Sequence, residues 1–382
     1  MTKVLMLIKT SGLEYDDRLR KEVLSLKAIG AAVEIIALDD SNRASAGTVY
    51  GDVPFRTIRL RSRRWAPQGA GLAVKTSELY GHFMLRVLQT RPDVVWIHNL
   101  ELAAIVPPLA AARAAGLIDR IIWDQHELPA EARLKNPRMR SAYTRFFNMC
   151  NSVVMANRER YDYLVQQCGL QLQAPVTVLR NLPDTVFAEL ARVALPVSVT
   201  EWLAGRSYFL AQGGANPYRA LDELVAATLT LHDARLIVVG PYRPTDLERL
   251  ESRYGTILHE RVLFAGFVRQ LELTPYIDNA LASIVLYQAI DTNNLLCAPN
   301  RMYQAIARGT PLVVGMNPPM KQVVEQYRNG IVLETDGSDS AIIAIGLRTF
   351  LQQQPELRRQ AAAHQHDLSW ESQNEAIARL LL

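Results

Sequence analysis

The stretch SYFLAQGGANPYRALDELVAATLTLHDARLIVVG, Ser207–Gly240, decides the fold. It begins as an apolar strand, breaks at Gly213 and Gly214, places apolar residues at helical spacing over 217–231 and returns to an apolar strand at Ala234. Strands that are apolar on both faces and separated by an amphipathic helix imply a parallel sheet covered on both sides. The unit then repeats. RVLFAG, ASIVLY, PLVVG and GIVLE read as strands, with helices expected at 245–254, 271–279, 300–308, 318–327 and 338–353.

The same alternation runs upstream. KVLMLIK, AVEIIAL, FRTIRL, DVVWIH, RIIWDQ, SVVMA and VTVL read as strands, with helices over 17–29, 73–89, 101–115, 139–148 and 158–168. It lapses over residues 181–206, which contain Pro183 and Pro196 and little that a sheet could use. At 382 residues the chain exceeds one ordinary core and fits two domains of about 150 residues or more. The expected fold is therefore α/β, with two Rossmann-like domains, 1–185 and 206–365, facing a central cleft.

Hydrophobic residues make up 49% and charged residues 21%, values of a packed globular chain rather than a disordered one. The apolar runs fall short of the ~18 residues that span a bilayer, and the expected location is cytoplasmic. Cys150, Cys168 and Cys297 lack CxxC spacing, which argues against a disulfide framework and against a zinc site. The net charge of +4 is unevenly placed, because RTIRLRSRRW puts Arg56, Arg59, Arg61, Arg63, Arg64 and Trp65 together. That cluster reads either as a solvated face or as a peripheral contact with an anionic membrane surface or acceptor. No motif for nucleic acid accompanies it.

In doubly wound sheets ligands bind beyond the carboxyl ends of the strands, so chemistry is sought there. After the first strand, Gly12 permits close backbone approach and Arg18 lies at the start of a helix, where N–H groups favour an anion. The GxGxxG of a nicotinamide site is absent there, and QGAGL at 68–72 follows no strand. Asp124, His126 and Glu127 follow RIIW, a loop histidine between two carboxylates that is a catalytic candidate; His98 after DVVWI is a weaker one. The spacing gives no zinc-protease pattern. In the second half Gly213, Gly214 and Arg219 suit a phosphate, and the turns VVGPYRP and FAGFV add Gly240 and Phe267. In CAPNRMYQAIARGTPLVVG, Pro299 suits a first helical turn, Asn300, Arg301 and Gln304 form a polar edge, and Gly309 ends the helix.

Together these segments resemble the GT-B glycosyltransferases, in particular the family-4-like enzymes of bacterial surface-polysaccharide synthesis, over essentially the whole chain. YDDRLRKEVLSLKAIGAAVEII resembles that group's DxRvxkEaxsLxxxGxxVxvi, IIWDQHELPAE its xxyDxHE, and PNRMYQAIARGTPLVV its PNKLFEYMAAGTPVV. LSWESQNEAIARLL resembles the terminal helix, here 366–382, that crosses back to the first domain.

The resemblance implies an acceptor-side first domain and a donor-side second domain. It places His126 beside the donor sugar, and Gly213, Gly214 and Arg219 at the donor diphosphate. Gly214, Arg219, Gln304 and Leu296 depart from the group's pattern, Arg219 standing where lysine is common. Gly214 stands where arginine is common, which turns attention to Arg301 or Arg18 for the phosphate. Gln304 replaces the ribose-binding glutamate, and Leu296 replaces a second glutamate eight residues earlier. The implied activity is transfer from a nucleotide diphosphate-sugar to a glycan or lipid-linked acceptor, with retention, no metal and no cofactor. A GT-B-shaped nucleotide-sugar 2-epimerase and a catalytically silent scaffold are the alternatives.

Overall fold

Val4–Ile8 form five consecutive apolar residues, all buried, and strand β1 (Lys3–Lys9) runs through the middle of a sheet. In the computed structural model, which describes residues 1–67, 69, 71–214 and 217–382, the chain divides into two units. One comprises Met1–Arg180 with Glu371–Leu382, the other Asn181–Trp370. Gln68 and Ala70 of QGAGL, and Ala215 and Asn216 of the second-half glycine turn, lie outside the described residues.

The first unit adds β2 (Ala32–Leu38), β3 (Ser45–Val49), β4 (Val53–Thr57), β5 (Val94–His98), β6 (Arg120–Gln125), β7 (Ser152–Met155) and β8 (Val176–Val178). Their order is β3-β4-β2-β1-β5-β6-β7-β8, parallel except for the β3–β4 hairpin. The sequence reading missed β3, because SAGTV is an edge strand left largely exposed and so carries no apolar alternation. FRTIRL, read as one strand, stops at Thr57 and passes into a tight 3₁₀ turn, Arg61–Arg64. The final helix, Asn374–Leu380, belongs to this unit, where the Ser25 hydroxyl donates to Asn374 Oδ1 at 2.6 Å.

The second unit is a parallel sheet of β9 (Ser207–Gln212), β10 (Ala234–Val239), β11 (Val262–Gly266), β12 (Ser283–Val285), β13 (Leu312–Val314) and β14 (Gly330–Val332), ordered β11-β10-β9-β12-β13-β14. Its core packs Phe209, Leu236 and Ile284 against Leu347 and Phe350 of the helix Ser340–Ala363. That helix runs ten residues past the expected end at 353. Pro355 within it is exposed, while Leu357 and Ala361 keep the buried face going. Residues 181–206, expected as a junction, belong to this unit. Buried Arg308 holds them, donating to the Ala188 and Leu190 carbonyls at 2.9 and 2.8 Å while its Nε meets Asp278 at 2.7 Å.

In each sheet the winding reverses at one point: between β1 and β5 in the first unit, and between β9 and β12 in the second. The ends of those strands diverge, leaving room for side chains from the following loops.

Candidate functional site

Asp124 is one residue from the end of β6 and directly opposite His98, the last residue of β5. Both are fully buried. Arg18 reaches them from the first turn of the helix Asp17–Ala28, which is fixed by Asp16 accepting from Leu19 N at 3.1 Å. Its Nε and Nη2 donate to the two oxygens of Asp124, each at 3.0 Å, and Nη1 donates to Leu179 O at 2.9 Å. His126, just beyond β6, puts Nε2 3.1 Å from Asp124 Oδ2, while its carbonyl accepts from Arg160. Glu22, one turn after Arg18, lies 3.0 Å from the Arg18 Nε and 3.6 Å from His98 Nε2.

Burial alone raises the Asp124 carboxyl, but Arg18, then His126 with its hydrogen bond, overcome this and hold it well below the usual carboxylate range. Glu22 goes the other way: burial, then the Asp124 charge, raise it well above its ordinary value, so it carries the proton of the pair. Burial pulls His98 down to about 3 despite Asp124, leaving a neutral imidazole. The cluster is thus one bidentate ion pair flanked by a neutral acid and a neutral imidazole, with half-buried His126 as its outlet.

His98, Asp124 and His126 offer ligand atoms within 4.8 Å of one another, a reach suited to a divalent cation. Arg18 already supplies the positive charge on both oxygens of that carboxylate, which opposes a cation there. Glu127 is exposed and stands outside the cluster. Arg18, expected at a phosphate, has its guanidinium committed to Asp124, Leu179 and Glu22, because it is buried on the sheet rather than presented by the helix end. Gly12 has φ 174, an extended conformation open to any residue, so the backbone does not require glycine there.

Glu22 and Arg160 were not singled out from the sequence. Glu22 had a signal, four residues after Arg18 on the same helix face. Arg160 had none, since it is brought to the His126 carbonyl only by the fold.

In the second unit, β9 ends in a turn whose Gly213 and Gly214 take φ of 103° and 71° and both donate to the Val239 carbonyl, at 2.7 and 2.9 Å. A Cβ on Gly214 would run into the Pro241 carbonyl, and one on Gly240 into the Gly213–Gly214 backbone. The three glycines therefore let two strand-end turns interlock. Arg219 lies in a 3₁₀ turn, Pro217–Arg219, and folds back to donate to Gly213 O; the helix proper begins at Leu221, after left-handed Ala220.

Arg301 comes from the helix Asn300–Ala307, for which Pro299 is the N-cap rather than a first-turn residue. It is buried, donates to Gln212 O and to Leu286 O, the latter at 3.2 Å, and lies 4.6 Å over the Tyr287 ring. Arg219 stands over the same ring at 5.8 Å. Neither has a carboxylate partner among the described residues, and burial, together with Arg219, lowers the Arg301 pKa. Gln304 is buried on the same helix, with no protein hydrogen bond to its amide among the described residues. Gly309, φ 65, closes the helix: Thr310 N bonds to Ala305 O and Gly309 N to Ile306 O, both at 2.9 Å. Phe267 follows edge strand β11 and is exposed.

A glycine turn, buried Arg301 and half-buried Arg219 stand together at the second switch point, and a family match covers them. Residues 206–353 match the model for glycosyl transferases group 1. The matched segment contains Gly213, Gly214, Arg219, Gly240, Phe267, Asn300, Arg301 and Gln304. No curated protein sequence matches the chain.

Solved structures match its fold along its full length. Sucrose-phosphate synthase from Thermosynechococcus elongatus is 14% identical, with all of this chain and 98% of that one covered and a TM-score of 0.73. The E. coli trehalose-6-phosphate structure bound with UDP-2-fluoro glucose is 12% identical, covering 100% and 99%, at 0.70. The UDP-forming alpha,alpha-trehalose-phosphate synthase from Burkholderia xenovorans, in complex with glucose-6-phosphate, is 13% identical, covering 100% of both chains, at 0.71. The expected class, α/β with two Rossmann-like parallel-sheet domains of the GT-B kind, is the one observed.

Proposed function

We propose that the protein is a glycosyltransferase that moves a sugar from a nucleotide diphosphate-sugar to a glycan or lipid-linked acceptor, with retention and without metal, in the cytoplasm. The observation that carries this reading is the pair Arg219 and Arg301, set together at the second switch point with no carboxylate partner among the described residues. Arg301 is buried without a counter-charge, which is costly, and a diphosphate bonded by it and by half-buried Arg219 would relieve that cost through charge-assisted bonds. The group 1 match over the same residues supports it, as does the UDP-2-fluoro glucose held by one structural neighbour.

In this reading Arg219 and Arg301, with the Gly213–Gly214 turn, hold the diphosphate, while Gln304 and Asn300 bond the ribose and Phe267 packs on the base. When the anomeric C–O bond to the diphosphate breaks, its electron pair leaves on the diphosphate, where the two guanidinium groups stabilise the charge, while the acceptor hydroxyl oxygen bonds the anomeric carbon and its proton passes to the departing diphosphate oxygen. His126, oriented by Asp124, bonds the sugar as positive charge develops at its anomeric carbon. Arg18 and Glu22 act through Asp124 as positioning residues.

Incubation with a panel of nucleotide sugars and acceptors, followed by nucleoside diphosphate release, tests the proposal. Release that depends on acceptor supports transfer. Gln304 in place of an acidic residue favours a second reading, a catalytically silent scaffold, for which the expected result is nucleotide binding without turnover.

A further inference from the structure

We propose that the first unit carries a groove for the phosphate of an anionic lipid head group, lined by Arg56, Arg59 and Arg61. The groove has a volume of about 420 Å³ and runs between the end of β4 and the helix Leu72–Thr90, where Ile36, Ile58 and Leu85 supply apolar walls. It is separate from the Asp124 cluster, since β4 is four strand positions from β6, roughly 19 Å at the usual strand spacing.

The charge is one-signed. Among the described residues, no acidic side chain lines the groove. Arg86 on its wall is paired with Glu34, but Arg56, Arg59 and Arg61 have no side-chain partner among the described residues. The backbone that presents them is fixed on both sides. Leu60 N donates to Asn42 Oδ1 at 2.8 Å, and Asn42 Nδ2 returns a bond to Leu60 O at 3.2 Å. Glu78 accepts from Arg61 N at 2.7 Å, Ser62 N at 2.9 Å and the Ser62 hydroxyl. Guanidinium groups on a pinned chain lose less freedom on binding a phosphate than groups on a loose one.

The apolar surroundings favour a lipid as the source of that phosphate. Trp65, at 69% exposure, and Leu72, Leu85 and Leu88, at 65, 53 and 49%, stand on the same turn and helix. A soluble phosphate gains nothing from them, whereas a bilayer interface accepts both the cations and the apolar side chains. No helix among the described residues is long and apolar enough to cross a membrane, so the contact is peripheral.

Flotation of the full-length protein with mixed phosphatidylglycerol–phosphatidylcholine vesicles, and with phosphatidylcholine alone, tests this. Arg59→Gln/Arg61→Gln removes two groove charges; Arg63→Gln/Arg64→Gln removes two from the same segment outside it. The groove pair is expected to weaken binding to the anionic vesicles by about tenfold or more, and the outer pair by less than about threefold. Equal losses would mean diffuse surface attraction and would overturn the groove, as would vesicle binding indifferent to phosphatidylglycerol. Groove-dependent calorimetric binding of glycerol 1-phosphate without vesicle binding would overturn the lipid source. If the groove pair unfolds, Arg56→Gln, at an exposed position, carries the same comparison. None of these outcomes bears on nucleotide binding in the second unit.

Discussion

Arg18 grips Asp124 by both carboxylate oxygens, Nε and Nη2 each at 3.0 Å, with both side chains buried. Removing one partner leaves the other charge buried and unpaired. Asp124→Asn is expected to lower stability by about 3–5 kcal/mol, read from urea unfolding of the full chain. A loss under about 1 kcal/mol would show that water reaches the pair.

The same cluster sets an acid response. An unfolded histidine takes up a proton near pH 6.5, whereas folded His98 does so only at about 3, so the stability it contributes is present above pH 6.5 and is lost as pH falls toward 3. Asp124 has the same sign lower down: its depressed folded value makes its contribution present above the unfolded pKa of about 3.9 and lost below it. Glu22 is opposite, since its raised folded value gives stability below about 4.3 that is lost as pH rises through the folded pKa. His98→Gln should therefore flatten the stability profile between pH 6.5 and 3, and Glu22→Gln should gain relative to wild type as pH rises above 4.3. Urea midpoints across that range decide both.

His126 stands at the open side of the cluster, half-buried, with its ring against Asp124. His126→Ala is expected to reduce sugar transfer by about 10²-fold while leaving nucleoside diphosphate affinity unchanged. A variant that loses nucleotide affinity and thermal stability together would mark His126 as a loop tie.

Arg219→Ala is expected to weaken nucleoside diphosphate binding by roughly 1.5–3 kcal/mol, the range of a charge-assisted bond. Gln304→Ala should do less. Arg301→Gln keeps a donor and should fall at least as far as Arg219→Ala, because Arg301 is the more deeply buried cation. Unchanged calorimetric affinity in all three folded variants would remove these residues from the donor site.

Two glycines separate backbone need from chance. Gly214→Ala is expected to destabilise by more than about 1 kcal/mol, since φ is 71° and the added methyl meets the Pro241 carbonyl. Gly12→Ala, at φ 174 and with Tyr15 as the only near neighbour among the described residues, should stay within about 0.5 kcal/mol.

The sequence by itself determined the alternation of buried strands and helices, because strands apolar on both faces have no stable place except inside a parallel sheet. It marked the strand ends that carry Asp124, His126, Gly213, Arg219 and Arg301, since polar residues and glycines interrupt apolar runs where the chain leaves the core. It missed β3, which is solvated and leaves no pattern. It could not determine what each polar residue faces. Arg18 and Arg301 both looked like phosphate ligands on helix first turns, yet one is locked to a carboxylate 106 residues away and the other rests on a tyrosine ring beside a second arginine. Which strand ends become neighbours is fixed by sheet order, and sheet order is set by long-range packing that no local spacing encodes. The protonation of Glu22 and His98 follows from the same cause, because the desolvation that moves a proton exists only once the sheet has closed over it.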